Sequence, residues 1–280
     1  MSPADAAGAK PALSNIAVIV TGAARGMGRA MTLALAATGV RVAATDLASS
    51  RNEMREVLDS ARRQGVGDRI VSVECDITRW RDCTGTVQAA IDRFGALHGL
   101  VNNAGIAVPD EELASGRARR RRFYQHDADA WRRVIDTNVT GSFQMAKAIA
   151  PALVAQGWGR IVNVTTSATT MVLEGFSPYG PSKAALEAAT VIWSKDLAHT
   201  GVTVNALVPG GPGNTRMVPH TEAPDRTTLV QPEAMMAPIV WLMSAQSDGV
   251  TGRRFVAKLW DANLDPSAAA AKAGAPAGWS

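Results

Sequence analysis

The chain has 280 residues, of which 46% are hydrophobic and 19% are charged. This composition is typical of a globular protein and excludes a wholly disordered chain or a small disulfide-stapled one. Five of the 29 lysines and arginines lie in residues 117–122, and without them the net charge falls from +4 to −1. Because the positive charge is local, we expect this run to be a solvated loop and not a nucleic-acid-binding surface.

The two ends of the chain lack apolar periodicity. Residues 1–12 and 266–280 are rich in Ala, Gly, Pro and Ser, which predicts two flexible tails around one folded domain at 13–265. Residues 1–12 also lack the apolar stretch of a signal peptide, and the chain has no run of 18 consecutive apolar residues. We therefore expect a cytoplasmic protein without a membrane partner.

Between these ends, apolar β-branched runs alternate with stretches of helical periodicity. Alternation of this kind requires crossover connections, so it predicts an α/β fold with a doubly wound parallel sheet of about seven strands and helices on both faces. A long break at 108–127 predicts an insertion loop over one rim of the sheet. The predicted strands are 16–20, 40–45, 69–73, 97–101, 160–165, 202–208 and 255–257, and the predicted helices are 26–38, 51–64, 79–94, 128–156, 178–199 and 231–245.

A glycine-rich turn follows the first predicted strand. Residues 21–28 read TGAARGMG and lead directly into the first predicted helix. Glycines allow backbone N–H groups and a helix N-terminus to approach a pyrophosphate closely, although a tight structural turn would require the same residues. The candidate phosphate-binding residues are Gly22, Ala24, Arg25, Gly26, Met27 and Gly28.

A carboxylate ends the second predicted strand. Asp46 lies about 20 residues beyond the glycines, where an acid accepts hydrogen bonds from both ribose hydroxyls of adenosine. Its charge would repel the 2′-phosphate of NADP, so Asp46 favours NAD, and the adjacent Leu47 is a further candidate cofactor-binding residue. Arg25 and Arg51 lie close enough in sequence to weaken that preference. The alternative interpretation of Asp46 is a helix N-cap.

A phenol and an ammonium group lie four residues apart in YGPSK, residues 179–183. In a helix, Tyr179 and Lys183 lie on one face. A phenol has an ordinary pKa near 10, and a neighbouring cation stabilises the phenolate and lowers that pKa. Tyr179 is therefore a candidate general acid/base. Such a pair on a helix surface is usually inert, so its meaning depends on the other motifs.

Six motifs occur in a fixed order along the chain. With this set, residues 16 to about 261 resemble the short-chain dehydrogenase/reductase family, classical type. The resemblance implies a single-domain Rossmann-like fold and an NAD(P)-dependent oxidoreductase that interconverts a secondary alcohol and a ketone by hydride transfer. It also implies a homo-oligomer, a tetramer or a dimer. The motifs are TGAARGMG at 21–28, CDI at 75–77, NNAG at 102–105, NVTG at 138–141, YGPSK at 179–183 and VPG at 208–210.

The resemblance also implies catalytic roles. Asn138 would hold a water in a proton relay, Tyr179 would be the general acid/base, and Lys183 would bind the nicotinamide ribose and lower the pKa of the phenol. A further hydroxyl would orient the substrate oxygen. The usual spacing, 13 residues before the tyrosine, gives Thr166. A one-residue shift would bring Ser167 into that place, and since the methyl of Thr166 narrows the pocket, chemistry slightly favours Ser167.

Further cofactor contacts come from the same resemblance. Asp76 and Ile77 would meet the adenine, and three residues after the fourth strand would approach the adenine ribose and the phosphates. The four histidines form no ligand-spaced cluster, so we expect no metal. The remaining implied contacts are Asn103, Ala104 and Gly105 near the ribose and phosphates, and Pro209, Gly210 and Thr215 near the nicotinamide.

Two alternative functions remain open. The first is a regulatory protein of the same fold that binds the cofactor without turnover, and the intact set of Asn138, Tyr179 and Lys183 speaks against it. The second is a carbonyl reductase that prefers NADP. The substrate itself is not encoded in a motif, because the loops at 166–175 and after Thr215 are expected to set specificity.

Overall fold

The computed structural model describes residues 11–107, 122–220 and 223–279. Its sheet has the strand order β3-β2-β1-β4-β5-β6-β7-β8. The first seven strands are parallel, which confirms the predicted sheet, and β8 adds an antiparallel edge. The strands are β1 (Ala17–Thr21), β2 (Arg41–Asp46), β3 (Ile70–Glu74), β4 (Gly99–Asn102), β5 (Gly159–Val164), β6 (Val202–Val208), β7 (Arg253–Val256) and β8 (Gly274–Pro276).

Helices cover both faces of the sheet. In β1, Val18 and Val20 point into one apolar core and Ala17 and Ile19 into the other, which explains why this strand is apolar at consecutive positions. The described helices are α1 (Gly26–Ala37), α2 (Arg51–Arg63), α3 (Trp80–Phe94), α4 (Ala128–Ile135), α5 (Ser142–Ala155), α6 (Ala168–Met171), α7 (Tyr179–Asp196), α8 (Met236–Leu242) and α9 (Pro266–Ala273).

The helix predicted at 128–156 is not one continuous α-helix. A π-helical segment, Asp136–Gly141, lies between α4 and α5. Wider turns of this kind occur mostly as single-turn insertions and frequently at functional sites. The segment carries Asn138, whose side chain is fully buried.

The predicted flexible tail at 266–280 is wrong for the residues that the structure describes. Asp265 caps α9 by accepting a hydrogen bond from the Ser267 amide, and β8 then pairs with β7. Buried alanines hold this segment to the domain, because small side chains allow close packing without a large apolar residue. The composition of the segment did not indicate that its alanines are buried. The buried alanines are Ala269, Ala270, Ala273 and Ala277.

Two other predicted segments fall largely outside the described residues. These are 1–10 of the N-terminal tail and 108–121 of the insertion loop, with most of the arginine run. The described end of the insertion forms a short 3-10 turn, and Arg122 pairs there with Glu174. No described helix has the length and hydropathy needed to cross a bilayer.

Candidate active site

A cavity of about 580 Å³ lies along the carboxyl ends of the parallel strands, which is where ligands bind in open α/β sheets. It brings together nearly all the predicted site residues. Ala24 and Asn138 are the exceptions, since both lie buried behind its wall. The predicted residues that line it are Gly22, Arg25, Gly26, Met27, Gly28, Asp46, Leu47, Asp76, Ile77, Asn103, Ala104, Gly105, Thr166, Ser167, Tyr179, Lys183, Pro209, Gly210 and Thr215.

The glycine turn at one end of the cavity requires its glycines for backbone reasons. Gly22 has φ +64°, and a Cβ there would lie 2.8 Å from the Ala104 Cα. A Cβ at Gly28 would lie 2.0 Å from the Gly22 carbonyl oxygen. No side chain in the described part of the chain caps the N-terminus of α1, whose first turn lines the cavity. Its free N–H groups and positive dipole end suit the pyrophosphate of a dinucleotide.

The Asp46 carboxylate lies at the rim of this turn. Its Oδ2 accepts a hydrogen bond from the Ala24 amide at 3.0 Å, and its Oδ1 accepts one from the Leu47 amide at 2.9 Å. These bonds fix the carboxylate while leaving it further lone pairs, because each oxygen accepts more than one hydrogen bond. The geometry therefore suits an acceptor for ribose hydroxyls, and Ala24 acts through its backbone from behind the wall.

Both arginines near Asp46 are paired with other carboxylates. Arg25 Nη1 lies 3.1 Å from Glu53 Oε1, and Arg51 Nη2 lies 2.7 Å from Glu74 Oε1. Partial neutralisation makes either cation a weaker partner for a ribose phosphate. Asp46 itself makes no ion pair to any described residue.

Asp76 and Ile77, the predicted adenine contacts, line the cavity just after β3. Asp76 Oδ1 accepts hydrogen bonds from the amide and hydroxyl of Thr78, and its Oδ2 lies 3.3 Å from Arg79 Nε. Asn103, at the next strand end, donates to the Thr21 carbonyl at 2.9 Å. The Asn103 bond ties the loop after β4 to the end of β1, and the Asp76 bonds order the loop after β3, while the adenine contacts remain predictions.

Tyr179 and Lys183 begin α7 at the other end of the cavity. Lys183 Nζ lies 5.9 Å from the centroid of the Tyr179 ring and donates a hydrogen bond to the Val164 carbonyl at 2.8 Å. Burial away from water lowers the pKa of the Lys183 ammonium to about 8. A Cβ at Gly105 would lie 3.3 Å from Lys183 Nζ, so a side chain at this position would crowd the amine.

Asn138 lies behind the cavity wall and hydrogen-bonds to two segments of the site. Its Nδ2 donates to the Ile106 carbonyl at 2.9 Å and to Ser182 Oγ at 2.8 Å, while its Oδ1 accepts from the Ile106 amide at 2.8 Å. The side chain thus connects the loop after β4 to the residue preceding Lys183. Its water-holding role remains a prediction.

Three consecutive hydroxyls follow β5, and two of them are already engaged. Thr165 Oγ1 donates to Glu187 Oε2 at 2.8 Å. Ser167 Oγ accepts from the Thr170 amide as the N-cap of α6 and also contacts the Thr170 hydroxyl at 2.7 Å. The hydroxyl of Thr166 bonds to no described residue, and Thr166 lines the cavity half-buried. The geometry therefore favours Thr166 over Ser167, against the slight chemical preference.

Several cavity residues were not predicted individually. Cys75 and Ile106 lie in it because they follow β3 and β4, and this strand-end position was a usable signal. Met217 and Val218 lie on the loop after Thr215 that was expected to set specificity, and Phe176 lies one residue beyond the predicted loop at 166–175. Among the residues that the structure describes, no group of three or more His, Cys, Asp or Glu could hold a metal ion.

The sheet topology and the cavity at its carboxyl ends define a Rossmann-type α/β protein, and comparison with known proteins specifies the family. The short chain dehydrogenase family matches residues 16–225. A 3-oxoacyl-(acyl-carrier-protein) reductase of Synechocystis sp. is 34% identical over 71% of this chain and 75% of that protein. A trans-4-hydroxycyclohexanecarboxylate dehydrogenase of Sinomonas cyclohexanicum is 34% identical over 69% of this chain and 70% of that protein.

A solved structure supports the same assignment. It is a short-chain type dehydrogenase/reductase from Mycobacterium marinum, with a TM-score of 0.76 and 27% identity, and it covers 87% of this chain and 94% of that one. The chain belongs to the short-chain dehydrogenase/reductase family, classical type.

Proposed function

We propose that this chain is an NAD-dependent oxidoreductase that interconverts a secondary alcohol and a ketone. The main support for the proposal is that Tyr179, the buried Lys183 and Thr166 line one cavity. The hydroxyl of Thr166 bonds to no described residue and is therefore available to a substrate. A protein that only sensed the cofactor would not require these three groups around one position. The bound nicotinamide would supply or accept the hydride.

Side chains of this protein would transfer the proton and hydrogen-bond to the substrate oxygen. Tyr179 takes the hydroxyl proton during oxidation and returns it during reduction. Lys183, held against the Val164 carbonyl, presents a positive charge that stabilises the phenolate. Thr166 donates a hydrogen bond to the substrate oxygen and orients the carbinol carbon. Asn138 keeps the loop after β4 and the start of α7 at a fixed separation.

The walls around this end of the cavity indicate an apolar substrate. Ala107, Leu173, Phe176, Met217 and Val218 line the cavity, beside the polar Arg216, and apolar surfaces of this kind favour hydrocarbon over polyhydroxylated groups. We therefore propose a cyclic or aryl secondary alcohol as the substrate class. The relative from Sinomonas cyclohexanicum, named for a hydroxycyclohexane substrate, supports this choice.

An activity screen tests the proposal directly. Each of NAD and NADP is combined with cyclic alcohols, aryl carbinols, hydroxysteroids and sugars, and the change in absorbance of the reduced cofactor is recorded. We expect turnover with NAD and the best rates with cyclic or aryl carbinols. Cofactor binding without turnover on the whole panel would favour the regulatory alternative, and faster turnover with NADP would favour the NADP-preferring reductase.

A first prediction concerns cofactor choice. If Asp46 accepts both ribose hydroxyls, kcat/KM should favour NAD by at least about tenfold, since a hydrogen bond to a charged group contributes roughly 1.5–3 kcal/mol. Asp46→Ala should remove most of this preference by weakening NAD and admitting NADP. Asp59→Ala, an exposed acid on α2, is the control and should leave the ratio unchanged. Equal use of both cofactors by the unmodified protein would rule the assignment out.

A second prediction separates Thr166 from Ser167. Thr166→Val keeps the shape and removes the hydroxyl, so turnover should fall by about tenfold or more while the melting temperature stays nearly constant. Ser167→Ala removes the cap of α6, so it should cost about 1 kcal/mol of stability with a smaller loss of turnover. Steady-state kinetics and thermal unfolding of both variants make the comparison. The reverse pattern would identify Ser167 as the orienting residue.

A further inference from the structure

One face of α7 holds two consecutive residues at the end of β5. Lys183 Nζ donates to the Val164 carbonyl at 2.8 Å, and Glu187 Oε2 accepts from the Thr165 hydroxyl at 2.8 Å. Lys183 and Glu187 are four residues apart and therefore lie one above the other on the helix. The helix that presents the phenol thus also holds the strand end that presents the substrate-orienting hydroxyl.

Arg254, on β7, extends this arrangement to Thr166. Its Nη2 donates to the Thr166 carbonyl at 2.7 Å, while its Nε lies 3.6 Å from Glu187 Oε1. The Glu187 side chain is fully buried and that of Arg254 is 12% exposed. The Gly278 amide also donates to Glu187 Oε1, at 3.3 Å. These partners offset part of the cost of removing the carboxyl group from water.

Thr166 depends on these contacts for its orientation. It lies beyond β5, which ends at Val164, and its hydroxyl bonds to no described residue. Its carbonyl, held by Arg254, fixes the plane of the following peptide bond. The point from which the side chain projects therefore depends on what holds the backbone of residues 165 and 166.

From this geometry we infer that Glu187 and Arg254 are positioning residues that set the distance between the Thr166 hydroxyl and the Tyr179 phenol. The inference rests on the proposed role of Thr166 in orienting the substrate oxygen. Small displacements of an orienting group cost large factors in rate, because the substrate must be held in a near-attack geometry. Neither residue lines the cavity, so each acts through the backbone of the strand end and not on the substrate.

A double-mutant cycle tests the inference. Arg254→Met should lower kcat by about tenfold and leave the dissociation constant of NAD within about twofold, because the glycine turn is not touched. In the Thr166→Val background the same substitution should change kcat by less than about twofold, since no hydroxyl is left to misplace. Arg253 is adjacent to Arg254 on β7 and its side chain lies on the opposite face of the sheet. Arg253→Met is therefore the matched control and should keep full kcat.

The outcomes separate this inference from the proposed function. Equal losses of kcat from Arg254→Met in both backgrounds, or a matching loss of NAD affinity, would show a merely structural role and overturn the inference. If Tyr179→Phe also kept its activity, the proposed function itself would fail. Should Arg254→Met not give folded protein, Arg254→Lys carries the same cycle, because one ammonium keeps the charge beside Glu187 but does not span both Glu187 and the Thr166 carbonyl.

Discussion

Tyr179→Phe should lower turnover by about a hundredfold or more while NAD binds with nearly unchanged affinity. The substitution removes the transferable proton but keeps the ring that lies 5.9 Å from Lys183 Nζ. A loss of that size corresponds to about 2.7 kcal/mol of transition-state stabilisation. Single-turnover kinetics would report the chemical step, and calorimetric titration would report binding of NAD.

The chain offers a matched control for this substitution, because it has two tyrosines. Tyr124 is 72% exposed on the short turn after the insertion. Tyr124→Phe removes an identical hydroxyl there and should leave turnover unchanged. Near-full activity of Tyr179→Phe on the best substrate would show that another group moves the proton.

Lys183→Met should affect activity and stability in opposite directions. Turnover should fall by about a hundredfold or more, because the phenol loses the cation that stabilises its charged form. The apo-protein should become more stable, because a buried ammonium is replaced by an apolar side chain of similar length. Steady-state kinetics and thermal unfolding of the same preparation measure the two effects.

The size of the stability gain follows from the pKa. The folded-state pKa of Lys183, about 8, is below its ordinary value of 10.5. The penalty that Lys183 imposes on the folded state is therefore absent above pH 10.5, grows as the pH falls to about 8, and stays at its full value at neutral pH. Burial of the charge costs about 3 kcal/mol at pH 7.

Lys183→Met also removes the hydrogen bond from Lys183 to the Val164 carbonyl, which contributes about 1 kcal/mol. The net gain in stability is smaller by that amount. The net expectation is a melting temperature several degrees higher at pH 7, with the difference between variant and parent shrinking as the pH rises above about 8. Lys195→Met, at an exposed position of the same helix, should change neither property. A Lys183→Met protein that melts lower at pH 7 would contradict the assigned cost of burial.

Sequence patterns predicted the sheet and most of the cavity because both depend on local signals. Strands buried on both faces are apolar at consecutive positions, as in β1, and these runs stand out against the helices. The glycine turn, Asp46 and the Tyr179–Lys183 pair follow strand ends or share a helix face, so their spacing places them near one another.

Other features depend on contacts that no local pattern contains. Glu187 and Arg254 meet only after β7 joins β6 and α7 packs across the sheet, so nothing near either residue indicates the pair. The choice between Thr166 and Ser167 depended on a four-residue helix that Ser167 caps. The alanines of α9 lacked the bulk by which buried positions are usually recognised, and composition therefore suggested a flexible tail.

The short strand β8 has a consequence for self-association. The sheet would otherwise end at β7, whose outer N–H and C=O groups could pair with a strand of another molecule. Residues 274–276 occupy that edge by pairing with Arg253–Phe255. The new edge is three residues long and ends in Pro276, which has no N–H to donate. This side of the sheet is thus a poor template for further strands, which protects the protein against edge-to-edge aggregation.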